Sequence, residues 1–314
     1  MSLPLKELIK IGETQLAGAG VEDAGRDAKL LYCFLDKLDS VGLMMRWQDV
    51  LPDNTCESYF ELVARRAAGE PLQYITGSQD FMGLTFAVTP AVLIPRQDTE
   101  TMVEDAVELI EKGSLRGQTY AGSRRPEIKE VLDLCCGSGA IGVSIARLCP
   151  KTKVTCSDVS AEALAVARKN AAANGCKSVK FETSDLFAAF GGKLGRKKFD
   201  LIISNPPYIE SAVIPTLQRE VKDHEPMMAL DGGADGLDFY RRIAAEAGAY
   251  LHKNGVLMLE IGCDQGRAVT ELLAQSERFE DILCLKDLAG KDRIIAARLA
   301  EKTSRKGKKM YISQ

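Results

Sequence analysis

Phe199-Asp200-Leu201-Ile202-Ile203-Ser204-Asn205-Pro206-Pro207-Tyr208 reads as a strand with an abrupt end. Phe199 to Ile203 is an apolar run with β-branched residues, the pattern of a buried strand. The two prolines stop further pairing and any helix through a fixed φ and a missing N–H. Asn205 is therefore held at the carboxyl end of a central strand. Its carboxamide carries an acceptor oxygen and two donors, Pro206 adds a rigid carbonyl, and Tyr208 adds a flat apolar face with a polar edge. Such a corner can grip a planar amine or amide: Asn205 Oδ1 and the Pro206 carbonyl accept its two N–H bonds while the nitrogen lone pair points elsewhere. Taken alone, the stretch is equally a strand ending in a turn, since Asn-Pro and Pro-Pro are turn signals.

Outward from this stretch, strands alternate with helices. Strands are expected at Lys129–Leu134, Lys153–Ser157, Val179–Thr183 and Asp200–Ile203, then at Val256–Ile261, Ile282–Leu285 and Arg293–Arg298. Helices fall between them through Ile141–Leu148, at Ala161–Asn174 with Gly175 just past its end, near Phe239–Leu251, and from Gln265. This alternation gives an α/β doubly wound, mostly parallel sheet with ligands at its carboxyl edge.

The first strand runs into Asp133-Leu134-Cys135-Cys136-Gly137-Ser138-Gly139-Ala140-Ile141-Gly142. Gly137, Gly139 and Gly142 fit the G-x-G-x-x-G pattern, and Asp158 ends the next strand, where an acid can hold ribose hydroxyls. An NAD-type site fits this spacing. S-adenosylmethionine enzymes use the same physics, with the glycine turn admitting the cofactor's methionine part and Asp158 accepting from its ribose. Asp185 after the third strand can accept the adenine amino group, with Leu186 covering the ring. Asn-Pro-Pro-Tyr separates the two readings, because an NAD enzyme has no use for it and a methyltransferase does.

Leu3 to about Ala68 has helical spacing, with stripes Leu5, Leu8, Ile9, Leu16 and Ala28, Leu31, Tyr32, Leu35, Leu38, and a third helix capped by Asn54 or Thr55. Such a bundle serves equally as a dimerisation or a substrate-docking module. A β-hairpin is expected over Phe81–Val92 around Gly83, and Thr99 as the cap of the helix through Met102 and Ile110. Simple capping explains Asp98, Glu100 and Glu104 near that helix start, and Arg96 less readily. Gly113–Pro126 reads as an exposed loop, and Lys302–Lys309 as a solvated basic tail.

The chain has 314 residues, 46% hydrophobic, with a formal charge of −3, which argues against wrapping bare duplex nucleic acid. No apolar run reaches membrane-spanning length and no basic-then-apolar leader opens the chain. Nine cysteines, an odd number without a Cys-x-x-Cys pair, fit reduced thiols in the cytoplasm rather than disulfides or a zinc site. With two histidines, His224 and His252, chemistry built on a histidine cluster is not expected.

Together, the Asp133–Gly139 turn, Asp158, Asp185 and Asn205–Tyr208 resemble the class I S-adenosylmethionine-dependent methyltransferases. Two stretches narrow the resemblance to the release-factor type of protein-glutamine methyltransferase, historically called HemK: Gly69-Glu-Pro-Leu-Gln-Tyr-Ile-Thr-Gly77 and Leu93-Ile-Pro-Arg-Gln-Asp-Thr-Glu100. Glu225-Pro226, Ala229 to Leu237 and Asp287 to Arg293 also match. The resemblance covers nearly the whole chain from Gly69 and is weaker in the helical start.

It implies a helical substrate-recognition domain (1–75), a β-hairpin linker (76–95), a seven-stranded catalytic domain whose last strand is antiparallel (96–300), and a tail (301–314). It implies a catalytic set of Asn205, Pro206, Pro207 and Tyr208. The implied cofactor set is Arg96, Thr99, Asp133, Cys135, Cys136, Gly137, Ser138, Gly139, Asp158, Asp185, Leu186 and Asn205, and no metal. The implied reaction is methyl transfer to the glutamine amide nitrogen in the Gly-Gly-Gln loop of peptide chain release factors, by a monomer or weak dimer. Two departures stand out: the family usually has Gly at the position of Cys135, and often a second Pro-like residue at that of Gln97. The alternatives are an amino-methyltransferase acting on adenine or guanine, a glutamine methyltransferase for a ribosomal protein, and a catalytically silent cofactor-binding adaptor.

Overall fold

The computed structural model describes residues 2–120, 127–192 and 195–301. The chain divides into two compact units, Met1–Ser78 with Thr216–Glu225, and Gln79–Pro215 with Pro226–Gln314.

In the first unit, α1 (Leu5–Gly18), α2 (Ala24–Asp36), α3 (Ser40–Met45), α4 (Asp53–Ala67) and α5 (Leu72–Thr76) share one apolar core. The two leucine-rich stripes supply it, and Tyr59 of α4 fills its centre, donating its hydroxyl to the Ala28 carbonyl. α4 starts earlier than the expected Asn54 or Thr55 cap, with Pro52 before it and Asp53 in its first turn. A fixed φ and a negative charge both suit a helix start.

Thr216–Glu225 departs from the sequence reading, which places it in the 96–300 domain. Arg66 accounts for its membership of the first unit. This buried guanidinium pairs with Asp27 and with Glu220, each at 2.7 Å, while Arg219 donates to the Ala68 carbonyl at 2.8 Å. A buried arginine needs such partners, and chain periodicity carries no trace of a long-range pair.

The second unit holds a seven-stranded sheet: β1 (Glu130–Leu134), β2 (Lys153–Asp158), β3 (Lys180–Thr183), β4 (Phe199–Ser204), β5 (Leu251–Glu260), β6 (Phe279–Lys286) and β7 (Asp292–Leu299). The spatial order is β6-β7-β5-β4-β1-β2-β3. β4 pairs in parallel with β1 and β5, and β7 runs antiparallel to β5 and β6.

From Leu201 in β4 and Val256 in β5 side chains alternate between two cores, as the two-residue strand period requires, and a register shift between Phe199 and Leu201 sends Phe199 to the second core. Leu201, Ile203, Val256 and Met258 face one side, packed with α6 (Gln97–Lys112), α7 (Ala140–Leu148) and α8 (Ala161–Ala173). Phe199, Ile202, Leu257 and Leu259 face the other, with α9 (Asp238–Glu246) and α10 (Gly266–Gln275).

Three boundaries differ from expectation. β5 begins at Leu251, so the helix before it is shorter. The hairpin pairs Ser78–Phe81 with Leu84–Ala87 across Met82 and Gly83, both at positive φ. Within the stretch read as a loop, Ser114–Leu115 pairs with Gln118–Thr119, anchored by buried Leu115 and Tyr120. Residues 121–126 of that loop and the basic tail lie outside the described residues.

Candidate active site

Parallel strands bring their carboxyl ends to one edge, and the loops after β1 to β4 meet there around a cleft of about 960 Å³, open mouth included. That size suits a nucleotide-sized ligand. Of the site residues read from the sequence, Arg96, Thr99, Cys135, Cys136, Gly137, Ser138, Asp158, Asp185, Leu186, Asn205 and Pro207 line it; Asp133, Gly139, Pro206 and Tyr208 do not.

The turn after β1 is built from unusual backbone. Cys135 (φ 59°), Gly137 (φ 52°) and Gly139 (φ 79°) all lie in the left-handed region. A Cβ added to Gly137 would meet nothing within 4 Å, so the missing side chain leaves backbone exposed to the cleft. Asp158 ties this turn to the next: its Oδ2 accepts from Gly137 N and its Oδ1 from Ser160 N, both at 2.9 Å. Each oxygen keeps lone pairs for a ligand. Burial raises the Asp158 pKa, opposed by those N–H donors.

Asp133 stands behind the turn instead of on the cleft wall. Its Oδ2 accepts from Gly142 N at 2.8 Å, its Oδ1 makes no hydrogen bond, and burial pushes its pKa up to about 7. Burial, together with the Asp158 charge, raises the Cys135 thiol, and the Cys156 thiol and burial raise that of Cys136, so both stay protonated and unreactive. After β3, Asp185 accepts from Arg242 at 2.7 Å and Leu186 sits buried at φ 46°.

Ser204, the last residue of β4, donates to the Leu134 carbonyl at 2.6 Å, so the ends of β4 and β1 are locked together. Asn205 follows, half-buried, donating from Nδ2 to Thr99 Oγ1 at 3.4 Å. Thr99 is therefore not the helix cap expected from sequence; α6 opens at Gln97, and Thr99 is buried within its first turn.

Tyr208, half-buried, packs against the core on the α9 side, and its carbonyl accepts from Gln265 at 2.9 Å. Gly232 presses on it so closely that a Cβ there would stand 2.7 Å from Tyr208 Cα. These contacts hold the Tyr208 backbone in place, and its ring remains part exposed beside the corner.

Glu260, at the end of β5, is the residue that sequence reading overlooks. It is 1% exposed, and its Oε2 makes no hydrogen bond. Burial pushes its pKa up to about 7, against the pull of donors on Thr99 and Asn205 and of the Arg293 charge. Arg293 is itself paired with Asp98 at 3.0 Å and Asp287 at 3.1 Å. The available signal is the one acid in the apolar run Val256-Leu257-Met258-Leu259-Glu260-Ile261, on the strand beside β4.

The family models for "Methyltransferase small domain" and "PrmC N-terminal domain" match residues 123–222 and 7–77. The release factor glutamine methyltransferase of Geobacter sulfurreducens is 42% identical over 90% of this chain and 93% of its own length. That of Moorella thermoacetica is 38% identical over 94% and 98%. Among solved structures, the hMettl16 catalytic domain in complex with MAT2A 3'UTR hairpin 6 matches 78% of this chain and 84% of its own, at 15% identity and TM-score 0.52, a likeness of fold alone. With that identity to curated relatives over nine-tenths of its length, the chain belongs to the release factor glutamine methyltransferase family.

Proposed function

We propose that the protein transfers a methyl group from S-adenosylmethionine to the side-chain amide nitrogen of the glutamine in the Gly-Gly-Gln loop of peptide chain release factors. The observation that carries the reading is Asn205 at the end of β4, on the cleft wall, with its nitrogen turned to Thr99. The family membership points the same way.

The cleft suits the cofactor. The open face of Gly137 admits a ligand against the backbone, and the Asp158 carboxylate sits where ribose hydroxyls would donate. Asp185 and Leu186 offer an acceptor and an apolar face for a base. When bound, S-adenosylmethionine supplies an electrophilic methyl group.

The remaining work falls to the chain. An amide nitrogen is a poor nucleophile because its lone pair is delocalised. Asn205 Oδ1 and the Pro206 carbonyl accept the two N–H bonds of the target amide, turn its lone pair towards the cleft and stabilise the positive charge that grows on nitrogen. Pro207, on the cleft wall, and Tyr208 pack the flat amide. Catalysis is positioning and electrostatics, and the proton then leaves to water. Residues 1–75 are assigned to recognition of the release factor, and the protein acts in the cytoplasm as a monomer or weak dimer without binding duplex nucleic acid.

The test is incubation with methyl-labelled cofactor and a release factor carrying either Gly-Gly-Gln or Gly-Gly-Glu, with and without nuclease. Label should enter the first alone and survive nuclease. Equal labelling of both would refute the amide grip, and loss of the label with nuclease would favour a nucleic-acid substrate.

A further inference from the structure

We propose that Glu260 is a positioning residue: acting through the Thr99 hydroxyl, it fixes the Asn205 carboxamide with its oxygen left free for the substrate. The inference rests on the methyl-transfer reading above and concerns what makes the amide grip directional.

A carboxamide has two ends of nearly the same shape, one accepting and one donating. If Asn205 turned over, it would present N–H to the target amide and repel the group it must hold. The Asn205 nitrogen donates to Thr99 Oγ1 at 3.4 Å. A threonine hydroxyl has a single proton, so it can be held as the acceptor here only if that proton goes elsewhere.

Glu260 supplies the other destination. β4 and β5 run in parallel with Ser204 opposite Leu259, which brings Glu260 beside Asn205; the Thr99 hydroxyl and the Asn205 carboxamide both favour its charged form, and its Oε2 has no hydrogen-bond partner. With Glu260 ionised, Thr99 donates to Glu260 and accepts from Asn205, and the carboxamide oxygen is the end that remains. With Glu260 protonated, the carboxyl can donate to Thr99, and nothing fixes the direction of the relay.

The groups facing Glu260 are Thr99 and Asp98 from α6, Asn205 and Tyr208 after β4, Tyr240 from α9 and Arg293 from β7. Burial holds both tyrosine pKa values well above neutrality, and Arg293 is bound to Asp98 and Asp287. Burial pushes the Glu260 pKa up to about 7, which brings its change of charge near neutral pH.

Two readouts test this. Selective ¹⁵N-asparagine labelling reads the Asn205 side-chain NH2 pair, identified by its loss in Asn205→Ala. In the unaltered protein these signals should titrate with a midpoint near 7, and in Glu260→Gln they should not. With a Gly-Gly-Gln peptide, Glu260→Gln should lower kcat about tenfold, less than the 10²–10³ of an outright lost hydrogen bond, with KM little changed. The fall of kcat below pH 7 should disappear with it, although Asp133 is still present.

Thr99→Val should reproduce both effects and Thr99→Ser should restore them, which separates the relay from a mere folding defect. Asn205 signals that titrate unchanged in Glu260→Gln, or full kcat with an unchanged pH profile, would overturn the inference. A protein whose Asn205 titrates as expected but which methylates no peptide would retain the relay and lose the methyl-transfer reading.

Discussion

Replacing Cys135 by glycine and by alanine should give the reverse of the usual order of stability. An ordinary residue in the left-handed region carries a cost of about 1–2 kcal/mol that glycine avoids, and Cys135 stands at φ 59°. Both variants lose the half-buried sulfur that packs against the α9-side core, a loss of about 1 kcal/mol on the scale of one buried methylene. The alanine variant keeps the backbone cost and should fall by that amount. The glycine variant sheds the cost and should stand near the unaltered protein. Glycine should then exceed alanine by about 1 kcal/mol, whereas at an ordinary helix or strand position it falls short by about 0.5–1 kcal/mol. Urea unfolding of the three proteins at one pH reads this as midpoints compared at equal slope. An alanine variant as stable as the glycine variant would show that the turn relaxes out of the left-handed region and that the strain argument is wrong. The same pair reports on the cleft, since Cys135 lines it: a glycine variant that binds cofactor more tightly than alanine would mean that the strained turn also limits binding.

Asp158→Ala should weaken S-adenosylmethionine binding by about 1.5–3 kcal/mol, the range for a charge-assisted hydrogen bond; calorimetry run in parallel with NAD decides the cofactor, and tight NAD binding alone would end the methyltransferase reading. Asn205→Ala should lower kcat by roughly 10²–10³, the scale of one preorganised hydrogen bond, and a variant at full kcat would reduce the corner to a strand-ending turn. The pH dependence of stability has a defined sign. Folded Glu260 holds its proton up to about pH 7 against 4.5 for a free glutamate, and Asp133 up to about 7 against 3.8, so the folded state binds more protons in that window and stability falls as pH rises through it, then levels. At about 1.36 kcal/mol per pKa unit the Glu260 share is about 3 kcal/mol; Glu260→Gln should flatten that part of the melting temperature profile between pH 5 and 8, and an unchanged profile would place the titration elsewhere.

The architecture was legible because the sheet is mostly parallel and central. A strand buried on both faces must be a continuous apolar run, as Leu201–Ile203 and Val256–Leu259 are, and glycine and proline mark where such runs stop. The same local signals located the loops that meet at the cleft. Contacts between residues far apart in sequence were not legible. Thr99 has the residue type and position of a helix cap, and only the approach of β4 turns its hydroxyl to Asn205. Tyr208 looks from sequence like a face for the substrate; that Gly232 presses on its backbone and Gln265 donates to its carbonyl could not be read there. Arg66 gives no sign in α4 that its second partner is Glu220.

Glu260 and Asp133 show how the sheet can hold a reactive edge without losing its apolar interior. Each lies in the last two residues of a strand adjacent to β4, each is fully buried, and each has one carboxylate oxygen without a hydrogen bond. A fold selected for stability alone would leave apolar residues at these positions, since an unpaired buried carboxylate costs several kcal/mol if it ionises. Their surroundings differ in a way that separates their roles. Asp133 accepts from the N–H of Gly142 in α7 and so steadies the glycine turn from behind. Glu260 has no backbone donor of that kind; its contacts are side chains, Thr99 and Asn205, on separate segments that meet at the cleft. A carboxylate held by backbone stabilises a loop shape in either protonation state of its neighbours. A carboxylate held only by side-chain donors dictates which way those donors point, and that direction is what an amide-gripping asparagine needs.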